Sequence, residues 1–194
     1  MNEPRDLRRP EPLVVWLEGS RQRIVRRRIL QRRAASVASL LMALGVTILA
    51  PPAPRLLWNA SASAPIGLYR VDPGTLPDRG DWAIAWPPSH VRSLAASRHY
   101  LPTGVPLVKR VVASWLDTVC ANGPVIKVNG IKVALRREVD GRGRQLPLWH
   151  GCVQLEEGES FLLMSERPDS FDGRYFGVTQ RSDTIGKATL LWAR

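Results

Sequence analysis

A run of 17 residues without a charged side chain, Ala34–Ala50, constrains the fold more than any other feature of the sequence. At about 1.5 Å per residue, a helix of this length spans about 26 Å, which is enough to cross the apolar part of a membrane. Seven arginines lie between residues 21 and 33, directly before the run. Because basic residues stay on the cytoplasmic side, the pattern predicts a cytoplasmic tail over residues 1–33, a transmembrane helix over residues 34–50, and an external location for everything after Pro51.

Three other interpretations of this amino-terminal region stay open. The apolar run could be a buried helix of a soluble protein. It could also belong to a cleaved secretory signal, because Ala60-Ser61-Ala62 has the small-x-small pattern of a cleavage site and would leave Ser63 as the new amino terminus. Residues 1–33 carry +6 of the net charge of +11, and arginine-rich segments also bind nucleic acids. Topology alone explains the arginines, so we expect the lipid bilayer, and no nucleic acid, as a partner.

Residues after the apolar run have the pattern of a mainly β domain. Pro51, Pro52 and Pro54 end the helix, so residues 51–60 are predicted to be a linker before a β-rich domain over residues 61–194. Asn129-Gly130 between two apolar runs is a hairpin signal, because both turn residues tolerate positive φ. The predicted fold is a coiled antiparallel β-sheet or barrel, preceded by one transmembrane helix. The predicted strands are Gly67–Val71, Trp82–Trp86, Pro106–Trp115, Val125–Val128, Lys132–Leu135, Ser160–Met164 and Thr184–Trp192.

The two cysteines, Cys120 and Cys152, both lie in the segment predicted to be outside the membrane. An oxidising compartment favours a disulfide between them, with two separate thiols as the alternative. The three histidines show no ligand spacing with the cysteines, so we predict no metal site and no cofactor. Residues 87–104 are predicted to form a loop or a short helix, and residues 136–145 an exposed charged loop.

Ser63 and Lys109 are the candidate catalytic pair. A serine hydroxyl becomes a useful nucleophile when a nearby base takes its proton, and lysine can be that base only if burial keeps it neutral. Strand alternation places Lys109 on one face with Leu107 and Val111, which offers such burial. Lowering a lysine pKa by about three units costs about 4 kcal/mol. The alternative is a linker serine and a solvated Lys109-Arg110 pair.

Three sequence blocks resemble the type I signal peptidase family, whose members use a Ser/Lys dyad. The blocks are Ser63-Ala64-Pro65-Ile66-Gly67-Leu68-Tyr69, Val108-Lys109-Arg110-Val111-Val112 and residues 170–177, Ser-Phe-Asp-Gly-Arg-Tyr-Phe-Gly. The first and third blocks are most similar to the TraF branch, the conjugative-transfer peptidases that process pilin precursors. The resemblance extends from the apolar run to Trp192, and it implies a signal-peptidase-like β fold.

The resemblance implies a role for each residue that matches the motifs. Ser63 matches the nucleophile and Lys109 the general base. Ser61 matches a hydroxyl that joins the backbone NH of Ser63 in holding the oxyanion. The supporting residues that match are Ser170, which orients the lysine ammonium, Asp172, an acid needed in the TraF branch, and Arg174, which with Asp172 could instead form a structural ion pair on a strand.

Three departures from the family pattern bear on the expected function. Residues 164–167, Met-Ser-Glu-Arg, replace a Gly-Asp-Asn-Arg segment, which favours the TraF branch over a general signal peptidase I. Ala64 replaces a methionine, and Gly173 replaces a common serine, a change that we expect to be tolerated.

We therefore predict a serine endopeptidase anchored in the bacterial inner membrane, with its catalytic domain in the periplasm. Its substrate would be a membrane-inserted, pilin-like precursor of a conjugative transfer (type IV secretion) system, processed by hydrolysis or by cyclisation. The alternatives are a general signal peptidase I and a catalytically silent, anchored assembly component.

Overall fold

The computed structural model describes residues 12–50 and 53–194, which belong to two separate compact units. The first unit contains helix α1, Pro12–Leu49. Within it, Val25–Leu49 is long and apolar enough to cross a membrane, and none of its apolar window is buried in protein. The helix therefore begins well before the predicted start at residue 34. Predictions for residues 1–11, Pro51 and Pro52 lie outside the described residues.

The second unit, from Ala53 onward, is built on two antiparallel sheets, which confirms the mainly β prediction. The larger sheet has the strand order β1-β2-β10-β3-β4-β9 and the smaller one β7-β6-β5-β8. The strands of the larger sheet are β1 Leu56–Asn59, β2 Gly67–Pro73, β3 Trp82–Ala85, β4 Leu107–Ala113, β9 Phe161–Leu163 and β10 Thr184–Ala193. Those of the smaller sheet are β5 Thr118–Asn122, β6 Val125–Val128, β7 Ile131–Leu135 and β8 Gly151–Gln154.

Every predicted β run overlaps a strand of the structure, whereas β1, β5 and β8 were not predicted. Strand β1 begins at Leu56, inside the segment predicted to be a linker, and pairs with β2 from Leu56↔Arg70 onward. Strand β8 is exposed along its whole length and is held by its pairing with β5, where Cys120 and Cys152 face each other and are joined by a disulfide. The predicted hairpin joins β6 to β7, with φ of 49° at Asn129 and 80° at Gly130.

Short helices occupy three of the connections. Helix α2, Ser89–Ser97, lies in the segment predicted as a loop or short helix, and a 3₁₀ turn covers Arg181–Asp183. Helix α3 is a single turn, Gly173–Phe176. The predicted exposed loop over residues 136–145 is wrong at its first residue. Arg136 is buried, and its guanidinium donates hydrogen bonds to the carbonyls of Gly123 and Trp149, which offset part of its lost hydration.

Two apolar clusters fix the strands that carry the candidate site. One cluster joins the two sheets through Ala113, Phe161 and Leu163 of the larger sheet and Val119 and Ile126 of the smaller one. The other packs one face of the larger sheet against the loop that follows β1. Its buried members are Ala64, Tyr69, Val71, Ile84, Val108, Met164 and Ala188. Because Ala64 belongs to this cluster, the position of Ser63 beside it is set by core packing.

Candidate active site

The structure brings Ser63 and Lys109 into direct contact, although 46 positions separate them in the chain. Ser63 lies in the loop between β1 and β2, and Lys109 is the third residue of β4. The Lys109 Nζ donates to the Ser63 Oγ at 2.8 Å. Only 2% of Lys109 is exposed, so the predicted desolvation of this side chain is present.

Burial lowers the pKa of Lys109 from 10.5 to about 8. The negative charge of Asp172 raises this pKa and the positive charge of Arg174 lowers it, and both effects are smaller than that of burial. A pKa of about 8 leaves about a tenth of the lysine neutral near pH 7. Lys109 can therefore accept a proton at ordinary pH, which a solvated lysine does only rarely.

Ser170 and Ser61 complete a row of hydroxyl groups around the lysine. The Ser170 Oγ, which is buried, accepts a second hydrogen bond from Lys109 Nζ at 2.8 Å. The Ser61 Oγ lies 3.0 Å from the Ser63 Oγ and accepts a bond of 3.3 Å from the Ser63 backbone NH. Both groups predicted to hold an oxyanion, the Ser61 hydroxyl and the Ser63 NH, are thus adjacent to the Ser63 hydroxyl.

Asn59 organises this loop, although none of the sequence motifs pointed to it. Its side-chain nitrogen donates to the carbonyls of Ser61, Ala64 and Pro65 at 3.0, 3.2 and 3.0 Å, and its oxygen accepts from the Ser61 NH at 3.1 Å. The Tyr69 hydroxyl donates to the Pro65 carbonyl at 2.9 Å. An asparagine two residues before a small-residue loop is a signal for such local side-chain bonds.

Asp172 and Arg174 form an ion pair that is at most 1% exposed. The Asp172 carboxylate accepts from Arg174 Nε at 2.8 Å and from the Met164 backbone NH at 3.1 Å. Arg174 also donates to the Met164 carbonyl at 2.8 Å. The ion pair matches the structural alternative given for these residues, but they do not lie on a strand: Asp172 is the N-cap of α3 and accepts from the Arg174 NH at 3.3 Å. Neither side chain hydrogen-bonds to Lys109, so the pair positions the end of β9 and acts on the lysine through its charge.

Gly173 is required by the space around it. A Cβ at this position would lie 2.7 Å from the Leu162 carbonyl oxygen and 2.9 Å from the Phe161 ring, which is closer than real contacts allow. The serine common in the family therefore does not fit this backbone. Ala64, the other departure that lies beside the site, is 4% exposed and packs against Tyr69 and Met164.

Two cavities meet at Ser63. The first, of about 540 Å³, contains Lys109 and Ser170 and is largely apolar, with Leu57, Leu101 and Phe171 in its wall. The second, of about 640 Å³, also has Ser63 in its wall, together with Trp82. Ser63 therefore lies between two cavities.

The sequence profile described as signal peptidase, peptidase S26, matches residues 28–193. The chain is similar to a plasmid transfer protein TraF of Escherichia coli, with 32% identity over 182 residues covering 85% of this chain and 99% of the relative. A second plasmid transfer protein TraF of Escherichia coli is 32% identical over 146 residues, covering 69% of this chain and 82% of the relative. The crystal structure of a signal peptidase I from Enterococcus faecalis aligns at 21% identity with a TM-score of 0.35, covering 58% of this chain and 97% of that chain.

The family match begins inside α1, at residue 28, and the apolar part of this helix together with the family indicates membrane anchoring. The match also includes the three blocks that carry Ser63, Lys109 and Asp172. The chain belongs to the signal peptidase family, peptidase S26, and this membership supports its assignment as a serine peptidase.

Proposed function

We propose that this protein is a membrane-anchored serine endopeptidase in which Ser63 is the nucleophile and Lys109 the general base. The observation that carries the proposal is the 2.8 Å contact between Lys109 Nζ and Ser63 Oγ at a lysine whose pKa is lowered to about 8. The nucleophile and its base are within hydrogen-bonding reach, and the base is itself oriented by Ser170, as covalent catalysis requires.

Acylation of Ser63 follows from this geometry. Neutral Lys109 takes the proton of the Ser63 hydroxyl while the Oγ attacks the scissile carbonyl carbon. The carbonyl oxygen becomes negative and accepts hydrogen bonds from the Ser61 hydroxyl and from the Ser63 NH, which exchanges its bond to the Ser61 Oγ for this one. Each such bond is worth about 3 to 4 kcal/mol in comparable hydrolases. The protonated Lys109 then gives its proton to the leaving amine, and the acyl group stays on Ser63.

The acyl-enzyme is resolved by a second nucleophile that loses its proton to Lys109. If this nucleophile is water, the product is a linear peptide. If it is the amino terminus of the same acyl chain, the product is a cyclic peptide. In both cases the ester bond to Ser63 breaks, and Lys109 returns the proton to the Ser63 Oγ. Ser170 holds the Lys109 side chain in place, because its hydroxyl accepts a hydrogen bond from Nζ in the free enzyme.

The substrate class is proposed from the relatives. Two of them are plasmid transfer proteins, which supports a processing role in conjugation and a pilin-like precursor as substrate. The arginines before the apolar part of α1 support a cytoplasmic amino terminus in the inner membrane, with the β domain in the periplasm. Ser63 follows the end of α1 by only 14 positions, which favours a substrate cut close to the bilayer.

The test is processing of a co-expressed pilin precursor, followed by the intact mass of the product. We expect Ser63→Ala and Lys109→Ala each to abolish processing while accumulating in the membrane like the wild type. Ser93→Ala and Lys127→Ala are matched controls, because both side chains are exposed and lie outside the site. A product lighter by one water than the linear peptide identifies cyclisation. If Ser63→Ala or Lys109→Ala still processes the precursor, the Ser/Lys mechanism is wrong and the assembly-component alternative is favoured.

A further inference from the structure

The cavity on the Trp82 side of Ser63 has a net positive charge among the described residues that line it. Three arginines line it, Arg79, Arg110 and Arg167, against a single acid, Glu166. We infer that this cavity binds a carboxylate of the peptide substrate, either the side chain of an acidic residue or a free carboxyl terminus. The inference rests on the proposed peptidase function, since it names the substrate chemistry that the same site accepts.

Arg110 is the residue best prepared to receive a carboxylate. It follows Lys109 on β4 and is exposed. Its guanidinium carbon lies 4.1 Å from the centroid of the Trp82 ring, and one of its nitrogens donates to the Gly80 carbonyl at 2.5 Å. Stacking and this single bond fix the guanidinium plane while leaving other N–H groups for a ligand. A guanidinium group whose N–H donors are already held in place loses little conformational entropy when a carboxylate binds.

Arg110 has no salt-bridge partner among the described residues. The charge of Arg110 does help to lower the pKa of Asp81. That carboxylate, however, is engaged by Lys187 at 2.7 Å. Arg110 therefore has its charge and several donors available to the cavity.

The two other arginines add positive charge to the same wall. Arg79 lies 3.8 Å from Asp117, and 56% of its side chain is exposed, so this pairing leaves most of its donors accessible. Arg167 is exposed, and its backbone NH is bonded to the Met164 carbonyl, which holds the residue at the cavity rim. Neither Arg167 nor Glu166 takes part in a salt bridge within the described residues.

The cavity on the Lys109 side differs in its charged residues. Among the described residues that line it there is no arginine, and its one acidic residue, Asp169, is paired with Arg137 at 2.7 Å. A peptide that passes over Ser63 therefore meets three arginines in one cavity and none in the other. A substrate with a carboxylate on the side of the arginines matches this difference.

Binding to the full-length Ser63→Ala protein in detergent micelles tests the inference without requiring turnover. The probes are alanine-based peptides that carry one glutamate or one glutamine, each made with a free or an amidated carboxyl terminus and an uncharged fluorophore. We expect a carboxylate to tighten binding about tenfold, as hydrogen bonds to a partly exposed charged group do. Comparing glutamate with glutamine peptides tests the side-chain carboxylate, and comparing free with amidated peptides tests the terminal carboxylate.

The same comparison in Ser63→Ala carrying Arg110→Gln should give nearly equal dissociation constants for the acidic and neutral peptides. Arg142→Gln in the same background is the matched control. Arg142 is exposed and lies in a loop away from β4, and its replacement by glutamine removes one positive charge, as Arg110→Gln does. Arg110→Lys, which keeps the charge without the fork, should retain part of the preference.

Acidic and neutral probes that bind equally, or that do not bind, overturn the inference, as does a preference that Arg110→Gln leaves unchanged. The proposed Ser/Lys dyad is tested separately. If it is wrong, Ser63→Ala still cleaves the precursor, whatever the binding measurements show.

Discussion

Two neighbouring regions of this domain bury ionisable side chains to the same extent, but only one of them pairs the buried charge with an opposite charge. Lys109, Asp172 and Arg174 are 2%, 0% and 1% exposed. The Asp172–Arg174 pair is bonded to itself and to the backbone around Met164, so its charges are compensated. Within the described residues, the Lys109 Nζ hydrogen-bonds to two hydroxyl groups and to no carboxylate. A buried charge that has an opposite charge beside it stabilises the structure, whereas a buried amine without such a partner can exchange a proton near neutral pH.

The size of this difference can be expressed as free energy. The pKa of Lys109 falls from 10.5 to about 8 because burial disfavours its charged form. At about 1.4 kcal/mol per pKa unit, the charged lysine is destabilised by about 3 kcal/mol relative to the unfolded chain. The ion pair also lost its hydration on folding, but attraction and hydrogen bonds offset that loss.

Removing half of the ion pair should have the largest effect. Asp172→Ala leaves the Arg174 guanidinium buried without a carboxylate and the Met164 NH without an acceptor. We expect the free energy of unfolding to fall by about 3 to 5 kcal/mol, as it does when one partner of a buried pair is lost. Urea unfolding followed by tryptophan fluorescence measures this change.

Two further variants make that measurement specific to the pair. Asp169→Ala removes an exposed acid three positions earlier and should change the stability by less than about 1 kcal/mol. Replacing both partners, Asp172→Leu with Arg174→Met, should be less destabilising than the sum of the single changes. Additive losses would show that the pair is not a unit and would contradict the comparison.

Removing the uncompensated charge should stabilise the protein. The pKa of Lys109 is lower in the folded than in the unfolded state, so the penalty is fully present below the folded value of about 8 and vanishes as pH rises to 10.5. Lys109→Met avoids about 3 kcal/mol of penalty and loses about 1 kcal/mol at the Ser170 hydroxyl. We therefore expect a gain of about 2 kcal/mol near pH 6.

Unfolding of Lys109→Met and wild type at several pH values checks the sign of this effect. The advantage of the variant should shrink between the two pKa values and disappear above the higher one. Lys127→Met is the control, because Lys127 is exposed on β6 and should show no such dependence. A variant that is less stable than wild type near pH 6 would mean that Lys109 is compensated after all.

The sequence was sufficient for groups whose position follows from local pattern. Lys109 was identified by its match to the signal peptidase motif, and its side of β4 was expected to be buried, as it is. The Asn129-Gly130 turn was found because both residues tolerate positive φ. Asn59 was missed because its role depends on three carbonyls that converge only when the loop folds. The four residues of α3 are too few to show helical periodicity, so the segment after Asp172 was taken for a strand.

The same limit applies to the groups around the nucleophile. Sequence motifs placed Ser61, Ser63 and Ser170 in the site, but they gave no sign that Arg110 stacks on Trp82, because this contact joins two strands that are far apart in the chain. Strand β8 was missed for a related reason. Its exposed residues have no apolar alternation, and they are held in the sheet by pairing with β5 and by the Cys120–Cys152 disulfide.

The pH dependence of catalysis should show the smallest effect and give the sharpest comparison with the ion pair. If neutral Lys109 is the base, kcat/KM reports its pKa in the free enzyme. We expect kcat/KM to rise with pH, to bend at about 8 and then to level off. The value near pH 7 would be about a tenth of the plateau, equivalent to about 1.4 kcal/mol of activation free energy. Circular dichroism across the same range separates this titration from unfolding. A rise that continues without a bend to about pH 10 would mean that Lys109 keeps the pKa of a solvated lysine, and burial beside the compensated Asp172–Arg174 pair would then have no chemical consequence.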